Sequence, residues 1–219
     1  SYARFRRDEG YDKGEYTFQS VGSVAICSVV EPCENLLDAC AAPGGKSVLL
    51  SQKCKHVTAF ELHEHRAQLI CAYAERMGAE IKVVCRDSSV HEEKYDAAFD
   101  AVLVDAPCSG YGVIGENPDV KFFRKEESLA QLTKTQRAIL AACAPYVRAG
   151  GALYYSTCSL FEEENDGTVG AFLPEHPQFA AQELSCPLAH ERTKFGLQFL
   201  PHISLGAGFY VCKLKKVSP

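Results

Sequence analysis

Strand-like and helix-like segments alternate along most of this chain, and that alternation leaves few folds open. NLLDACAA reads as a short buried strand running into a loop, and GGKSVLLSQKC as the start of a helix. HVTAFEL is a second strand, followed by a helix over roughly 63–77. IKVVCRD is a third and FDAVLVDAP a fourth, its apolar run ending in an acid. A long loop then leads to a helix over roughly 126–144, where Leu129, Leu132, Ile139, Leu140 and Cys143 form one periodic face. GGALYYSTCS is a fifth strand, with Gly150 and Gly151 marking the turn before it, and EEENDGTVGAFL resumes as helix. The order βαβαβ…βαβ predicts a doubly wound α/β sheet. Residues 21–30 are apolar enough for a helix beside that sheet. The tail departs from the pattern: LQFLP and GAGFYVCKLK alternate apolar residues around a glycine-rich turn and predict an antiparallel hairpin at the sheet edge.

The chain has 219 residues and is 47% hydrophobic, enough for one large domain or a domain with a short extension. No apolar stretch approaches the roughly 20 residues of a membrane span. Residues 1–20 are polar, with a basic cluster at Arg4, Arg6 and Arg7, and read as a connector or the tail of another domain. Eleven cysteines are an odd count in a chain too large to need disulfide staples, and none is spaced CxxC, which argues against a zinc knuckle. Many reduced thiols point to a reducing, cytoplasmic home, and Cys27, Cys71 and Cys143 in apolar runs read as small buried hydrophobes. The net charge of −5 argues against a broad phosphate-binding surface.

The loop after the first strand, ACAAPGGKS, sets the cofactor class. It lacks the GxGxxG of dinucleotide sites. It ends like a phosphate loop at Gly45-Lys46-Ser47, but Cys40 holds the position where that loop needs its first glycine. S-adenosylmethionine is the alternative. Small Ala41 and Ala42, Pro43, then Gly44 and Gly45, let backbone approach its amino acid part. Glu61, which ends the second strand, is placed for ribose hydroxyls, or as a solvated acid. Asp87 follows the third strand and suits an adenine amino group, or a turn cap for Ser88-Ser89-Val90. Arg66 pairs with Glu61 and helps close the pocket, or faces solvent. An acid after each of three successive strands, Glu61, Asp87 and Asp105, outweighs any one alone.

Two thiols follow two strand ends, Cys108 in VLVDAPCSG and Cys158 in YYSTCSLFEEEN. In an open parallel sheet ligands bind outside these carboxyl ends. One thiol as nucleophile and the other as acid or base suits cytosine C5, which is unreactive until a thiolate adds at C6 and makes C5 an enamine carbon. Asp105, if protonated or sharing a proton, donates to cytosine N3 and stabilises the adduct. Lys46 neutralises a carboxylate, tunes a nearby thiol, or faces solvent. The chemistry alone leaves open which cysteine attacks.

The motifs LLDACAAPGGKS, DAPCSGYGVIGENPD and YYSTCSLFEEEN resemble the RNA cytosine-5 methyltransferases of the NOL1/NOP2/Sun family, most closely the bacterial type acting on small-subunit (16S) ribosomal RNA. The likeness runs from about Phe18 to Lys213. It implies a mostly parallel, seven-stranded sheet of the Rossmann-like methyltransferase type with a C-terminal antiparallel hairpin, in a catalytic domain over 21–217. It implies S-adenosyl-L-methionine held by Cys40 to Lys46 with Glu61, Arg66, Asp87 and Asp105, Cys158 as nucleophile and Cys108 assisting product release. It also implies an RNA partner, an additional amino-terminal RNA-binding domain, and a monomer. Gly115 and Glu116 stand where the family usually has a basic pair, Ser20 and Ala207 where it has aspartate, and Tyr111 where threonine is frequent. Transfer RNA methylation, a phosphate-loop nucleotide hydrolase and a non-catalytic RNA-binding domain are the competing readings. Binding of ATP with magnesium in place of S-adenosylmethionine would favour the hydrolase.

Overall fold

Five parallel strands form the centre of the molecule: β1 (Asn35–Asp38), β2 (His56–Glu61), β3 (Ile81–Cys85), β4 (Phe99–Asp105) and β5 (Val147–Thr157). The computed structural model describes residues 8–120, 126–204 and 206–217. The arginine cluster at Arg4, Arg6 and Arg7 lies outside the described residues. Four further strands, β6 (Phe179–Gln182), β7 (Glu191–Arg192), β8 (Gly196–Phe199) and β9 (Phe209–Lys216), complete the sheet. Its order is β3-β2-β1-β4-β5-β9-β8-β7, with β6 also paired to β9. The first seven strands of that order are the sheet expected from sequence. The very short β6 and β7 extend it.

The central strands are apolar on both faces because helices cover both. Leu37, Val102, Val104, Leu153 and Tyr155 point to one side, against Ile139, Leu140 and Cys143 of the helix Glu126–Cys143 and Val169 and Phe172 of the helix Asp166–Glu175. Their neighbours Leu36, Ala101, Leu103, Ala152 and Tyr154 point to the other, against Ala25, Ile26 and Val29 of the helix Val21–Val29 and Leu50 of the helix Gly45–Ser51. The two-residue period of a strand makes this division. Truncating one of these fully buried leucines to alanine costs about 2–5 kcal/mol.

The predicted hairpin forms, with Phe199 opposite Phe209 and their rings stacked 4.1 Å apart. Its connection includes a short helix, Pro201–Ser204, and β9 lies inside the sheet, between β5 and β8. Residues 8–20 lie against the body. Arg76 donates to the Tyr11 carbonyl at 2.6 Å, and the Thr17 and Tyr73 hydroxyls meet at 2.6 Å. Ser20 then caps the helix Val21–Val29 by accepting from the Ser23 amide at 3.1 Å, a task that serine and aspartate do equally well.

From β1 the chain winds outward through β2 to β3, then returns to place β4 on the other side of β1. Connections therefore diverge at β1 and β4 and leave a crevice at their carboxyl ends. The loop Ala39–Gly44 leaves β1 there, and Ala106-Pro107-Cys108 leaves β4.

Candidate active site

The crevice opens into a cleft of about 570 Å³. Cys40, Ala42, Glu61, Arg66 and Asp87 line it towards β2 and β3, and Asp105, Cys108 and Cys158 towards β4 and β5. A neighbouring cavity of about 170 Å³ takes Ala41, Pro43, Gly45 and Lys46 together with Cys40 and Asp105. A third, of about 220 Å³, lies beside Ser20, Ser23, Glu116 and Phe209 and shares Asp105, Ala106 and Cys158 with the main cleft. Gly44 is absent from all three linings. Its φ of 103° turns the loop into the helix, and an added Cβ would come within 3.2 Å of the Ile70 Cα. That glycine serves close backbone packing.

The β1 loop is tied down by backbone. The Ala41 amide donates to the Phe60 carbonyl at 3.0 Å, Gly44 donates to Ala41 at 2.8 Å, and the Ala42–Pro43 peptide is cis. Arg66 bridges the rim, donating from Nη2 to the Ala42 carbonyl at 3.2 Å and from Nη1 to Glu61 Oε1 at 3.4 Å. Glu61, only 4% exposed, also accepts from the His63 amide at 3.0 Å. Asp87 does act as a turn cap: Oδ1 accepts from the Ser89 amide at 2.8 Å and hydroxyl at 2.7 Å, and these bonds hold its carboxyl below the usual range. It lines the cleft as well.

Lys46 and Ser47, the residues a phosphate loop would present, are both turned onto carboxylates. Lys46 Nζ lies 2.6 Å from Asp105 Oδ2, and Ser47 donates to Asp38 Oδ2 at 2.7 Å. Burial works to discharge Lys46, but Asp105's charge and hydrogen bond outweigh it and its affinity for a proton rises. Asp105 Oδ1 accepts from the Ser156 hydroxyl at 2.7 Å. Both Asp105 oxygens therefore accept. Of the two forms considered from sequence, an acid that is protonated or one that shares a proton, this geometry offers the shared one, with Lys46 as the partner. The proton of the pair resides on Lys46.

The two thiols converge. Cys108 Sγ lies 3.1 Å from Cys158 Sγ. The hydrogen bond with Cys108 draws the Cys158 thiol down, against burial and Asp105, with Lys46 assisting. The same bond pushes the Cys108 thiol well up, with burial and the charge of Glu164 adding to it. These influences favour a thiolate at Cys158 over one at Cys108, a division that chemistry read from sequence alone left open.

Residues 27–215 match the family model described as 16S rRNA methyltransferase RsmB/F. The chain belongs to this family. It is 38% identical over 226 residues to the probable ribosomal RNA small subunit methyltransferase B of Bacillus subtilis (strain 168), a match covering 94% of this chain and 49% of that protein. The corresponding protein of Sodalis glossinidius (strain morsitans) is 37% identical over 212 residues, covering 94% of this chain and 48% of the relative. The chain thus spans about half the length of the curated relatives it matches. Among solved structures, NSun6 from Pyrococcus horikoshii with SFG superposes with a TM-score of 0.84 at 27% identity, over 97% of this chain and 56% of that one. PH0851 gives 0.91 at 30% identity, over 97% and 50%.

The RsmB/F site also contains residues that reading the sequence missed. Glu164 is fully buried behind the two cysteine loops, with Gln136 beside it. Asp38 is buried beneath Lys46, its Oδ1 without a hydrogen-bond partner among the described residues. Burial, partly offset by Ser47, pushes its carboxyl up to about 6. Nothing in the run EEEN separates Glu164 from Glu162 and Glu163. Tyr111 packs its ring 4.8 Å from Phe161, so internal packing accounts for at least one of its faces.

Proposed function

We propose that this chain methylates C5 of cytosine in RNA, using S-adenosyl-L-methionine and a transient covalent bond from Cys158 to C6. The observation that carries this reading is the 3.1 Å thiol pair at the junction of two cavities, one lined by the acids after β2 and β3 and the other open beside Cys158. Small-subunit ribosomal RNA is favoured over transfer RNA because the relatives above are named for it.

The main cleft suits S-adenosylmethionine better than a nucleoside triphosphate. Lys46 and Ser47 are engaged by Asp105 and Asp38, and the acids Glu61 and Asp87 repel phosphates but accept from ribose hydroxyls and an adenine amino group. Cys40 to Lys46 would hold the amino acid end and Arg66 the rim. When bound, this cofactor supplies an electrophilic methyl group on a sulfonium.

The chain's own residues do the rest. Cytosine enters the smaller cavity, where Cys158 and Asp105 face it. The Cys158 thiolate adds to C6, and electron density moves through the ring to N3. There it meets the proton carried by the Lys46–Asp105 pair. C5 is now the nucleophile for the methyl group. A base then takes the C5 proton, the electrons of that C–H bond re-form the C5–C6 double bond as the C6–S bond breaks and its electrons return to Cys158, and N3 returns its proton to the Lys46–Asp105 pair. Cys108, at contact distance from that sulfur, assists release.

In this reading residues 21–217 are the catalytic domain and residues 1–20 a lead-in. The relatives' additional length supplies further phosphate contacts, so this chain by itself, a cytoplasmic monomer, binds cofactor well and RNA weakly. The test is transfer of labelled methyl to small-subunit ribosomal and transfer RNAs, followed by nucleoside analysis. Labelled 5-methylcytidine from ribosomal RNA is expected, with loss of transfer in Cys158→Ser and an RNA adduct retained on denaturing gels in Cys108→Ala. A Cys158→Ser variant as active as the unaltered chain would remove the nucleophile assignment, and absence of a Cys108→Ala adduct the division of roles.

A further inference from the structure

Glu164 is a fully buried carboxylate on a 3-10 turn, Glu162–Glu164, that lines none of the three cavities described above. Its surroundings are built to hold a charge. Oε1 accepts from the Ser109 amide at 2.8 Å and from Gln136 Nε2 at 3.0 Å. Oε2 accepts from the Ser109 hydroxyl at 2.5 Å and from the Ser159 hydroxyl. All four contacts are donated to the carboxyl oxygens, and none of them needs a proton from Glu164.

The donors are also the residues beside the two cysteines. Ser109 follows Cys108, and Ser159 follows Cys158. Gln136 Nε2 donates in addition to the carbonyl of Pro107, the residue before Cys108, at 3.0 Å. The Cys108 loop is therefore bracketed on both sides by one carboxylate and its amide partner, while Glu164 reaches the Cys158 loop through the Ser159 hydroxyl; Asn165 and Gln198 on the Ser159 carbonyl and the Gly112 amide on the Cys158 carbonyl hold that loop as well. The turn itself is anchored, since the Tyr155 hydroxyl donates to the Glu164 carbonyl at 2.5 Å. The charge of Glu164 acts on Cys108, raising its thiol.

We propose that Glu164 is the positioning residue of the cysteine pair: its carboxylate ties the two loops so that their sulfurs meet, and its charge keeps the shared proton on Cys108, leaving Cys158 as the thiolate. The second part rests on the proposed role of the pair in methyl transfer; the first does not. The charged groups facing the two thiols divide: one opposes the thiolate at Cys158 and two favour it there over Cys108. Lys46, at the start of the helix Gly45–Ser51, favours a thiolate at Cys158, Asp105 on β4 opposes it, and Glu164 disfavours a thiolate at Cys108. Tyr155 on β5 faces Cys108 but stays neutral, because burial raises its phenol.

The test needs no RNA and no turnover. The chain is alkylated with iodoacetamide across pH 5.5–9.5 and the modified cysteines are mapped by peptide mass spectrometry. Mapping separates this pair from Cys54, whose thiol is also lowered, to about 7. In the unaltered chain Cys158 is expected to react at lower pH than Cys108. Glu164→Gln keeps the volume and an acceptor for Ser109 but removes the charge. It is expected to lower the ratio of Cys158 to Cys108 labelling several-fold, while Glu164→Asp restores the order. A folded Glu164→Gln chain with an unchanged ratio and pH profile would overturn the proposal. So would loss of cooperative unfolding in both the Gln and Asp variants, which would make Glu164 a folding determinant. In turnover, Glu164→Gln is expected to lower kcat with little change in KM for S-adenosylmethionine. Absence of methyl transfer by the unaltered chain, with the labelling result intact, would count against the proposed function and leave the positioning role standing.

Discussion

Asp38→Asn separates an electrostatic cost from the packing around it. Asp38 is 1% exposed, and burial moves its carboxyl from 3.8 in the unfolded chain to about 6 in the folded one, with the Ser47 hydroxyl bond pulling the other way. The folded chain therefore holds a proton that the unfolded chain releases between those values. Stability from this group is fully present below pH 3.8 and is lost as pH rises through about 6. The gap corresponds to about 3 kcal/mol, to order of magnitude. Asparagine keeps an acceptor for Ser47 and never ionises, so any cost of its amide is constant with pH. Urea unfolding at 25 °C, measured from pH 4 to pH 8, gives the difference between variant and unaltered chain. That difference is expected to move in the variant's favour by about 3 kcal/mol, a relative midpoint shift of roughly 1 M. Taking the difference cancels the ordinary carboxylates, which gain stability in the opposite direction. A difference that is flat with pH, or that falls, would refute the claim that Asp38 is charged at a cost at neutral pH.

Lys46→Met is expected to raise the pH at which Cys158 reacts with iodoacetamide and Asp105→Asn to lower it, since the first charge stabilises that thiolate and the second opposes it; shifts of the same sign would disprove the arrangement. Gly44→Ala, with φ at 103° and backbone in the way, should cost more than about 2 kcal/mol in urea unfolding. Gly78→Ala, at φ 62° in open space, should cost about 1 kcal/mol, and equal costs would show that the Ile70 contact is unimportant. Glu116→Lys places a cation at the mouth of the smaller cavity and should tighten RNA binding, steepening the slope of log affinity against log salt by about one; an unchanged slope would place the RNA backbone elsewhere.

The sheet was legible because its central strands are apolar on both faces and each is followed by a helix or a glycine turn, so period and punctuation agreed from Asn35 to Thr157. The hairpin was legible from its alternation, but its place between β5 and β8 was not, because β9 gains partners from segments far away in the chain. Cys108, Cys158, Glu61 and Asp87 could be placed because strand ends point at the crevice. Glu164 could not. It is one of three consecutive glutamates, and only packing against Ser109, Ser159 and Gln136 decides which of them is buried. Asp105 could be set at its strand end, but its pairing with Lys46 and Ser156 is made only by the fold, across 59 and 51 residues.

A second pair of thiols shows what makes the first one a site. Cys33 Sγ lies 3.5 Å from Cys54 Sγ, and the hydrogen bond from Cys33 draws the Cys54 thiol down to about 7. Sulfur proximity and a lowered thiol are therefore common to both pairs. Their places differ. Cys33 and Cys54 precede β1 and β2, at the amino edge of the sheet where the doubly wound fold builds no crevice, and they pack in the core layer with Val57 and Leu50. Cys108 and Cys158 follow β4 and β5 at the carboxyl edge, where two cavities meet and a buried carboxylate holds both loops. If location decides function, alkylation confined to Cys54 leaves methyl transfer intact, while alkylation of Cys158 abolishes it. Brief labelling near pH 7, with Cys158 shielded by saturating S-adenosylmethionine, isolates the first case. Loss of activity with Cys54 modified and Cys158 intact would mean that chemistry at the amino edge reaches the crevice through β1, and the argument from strand ends would fail.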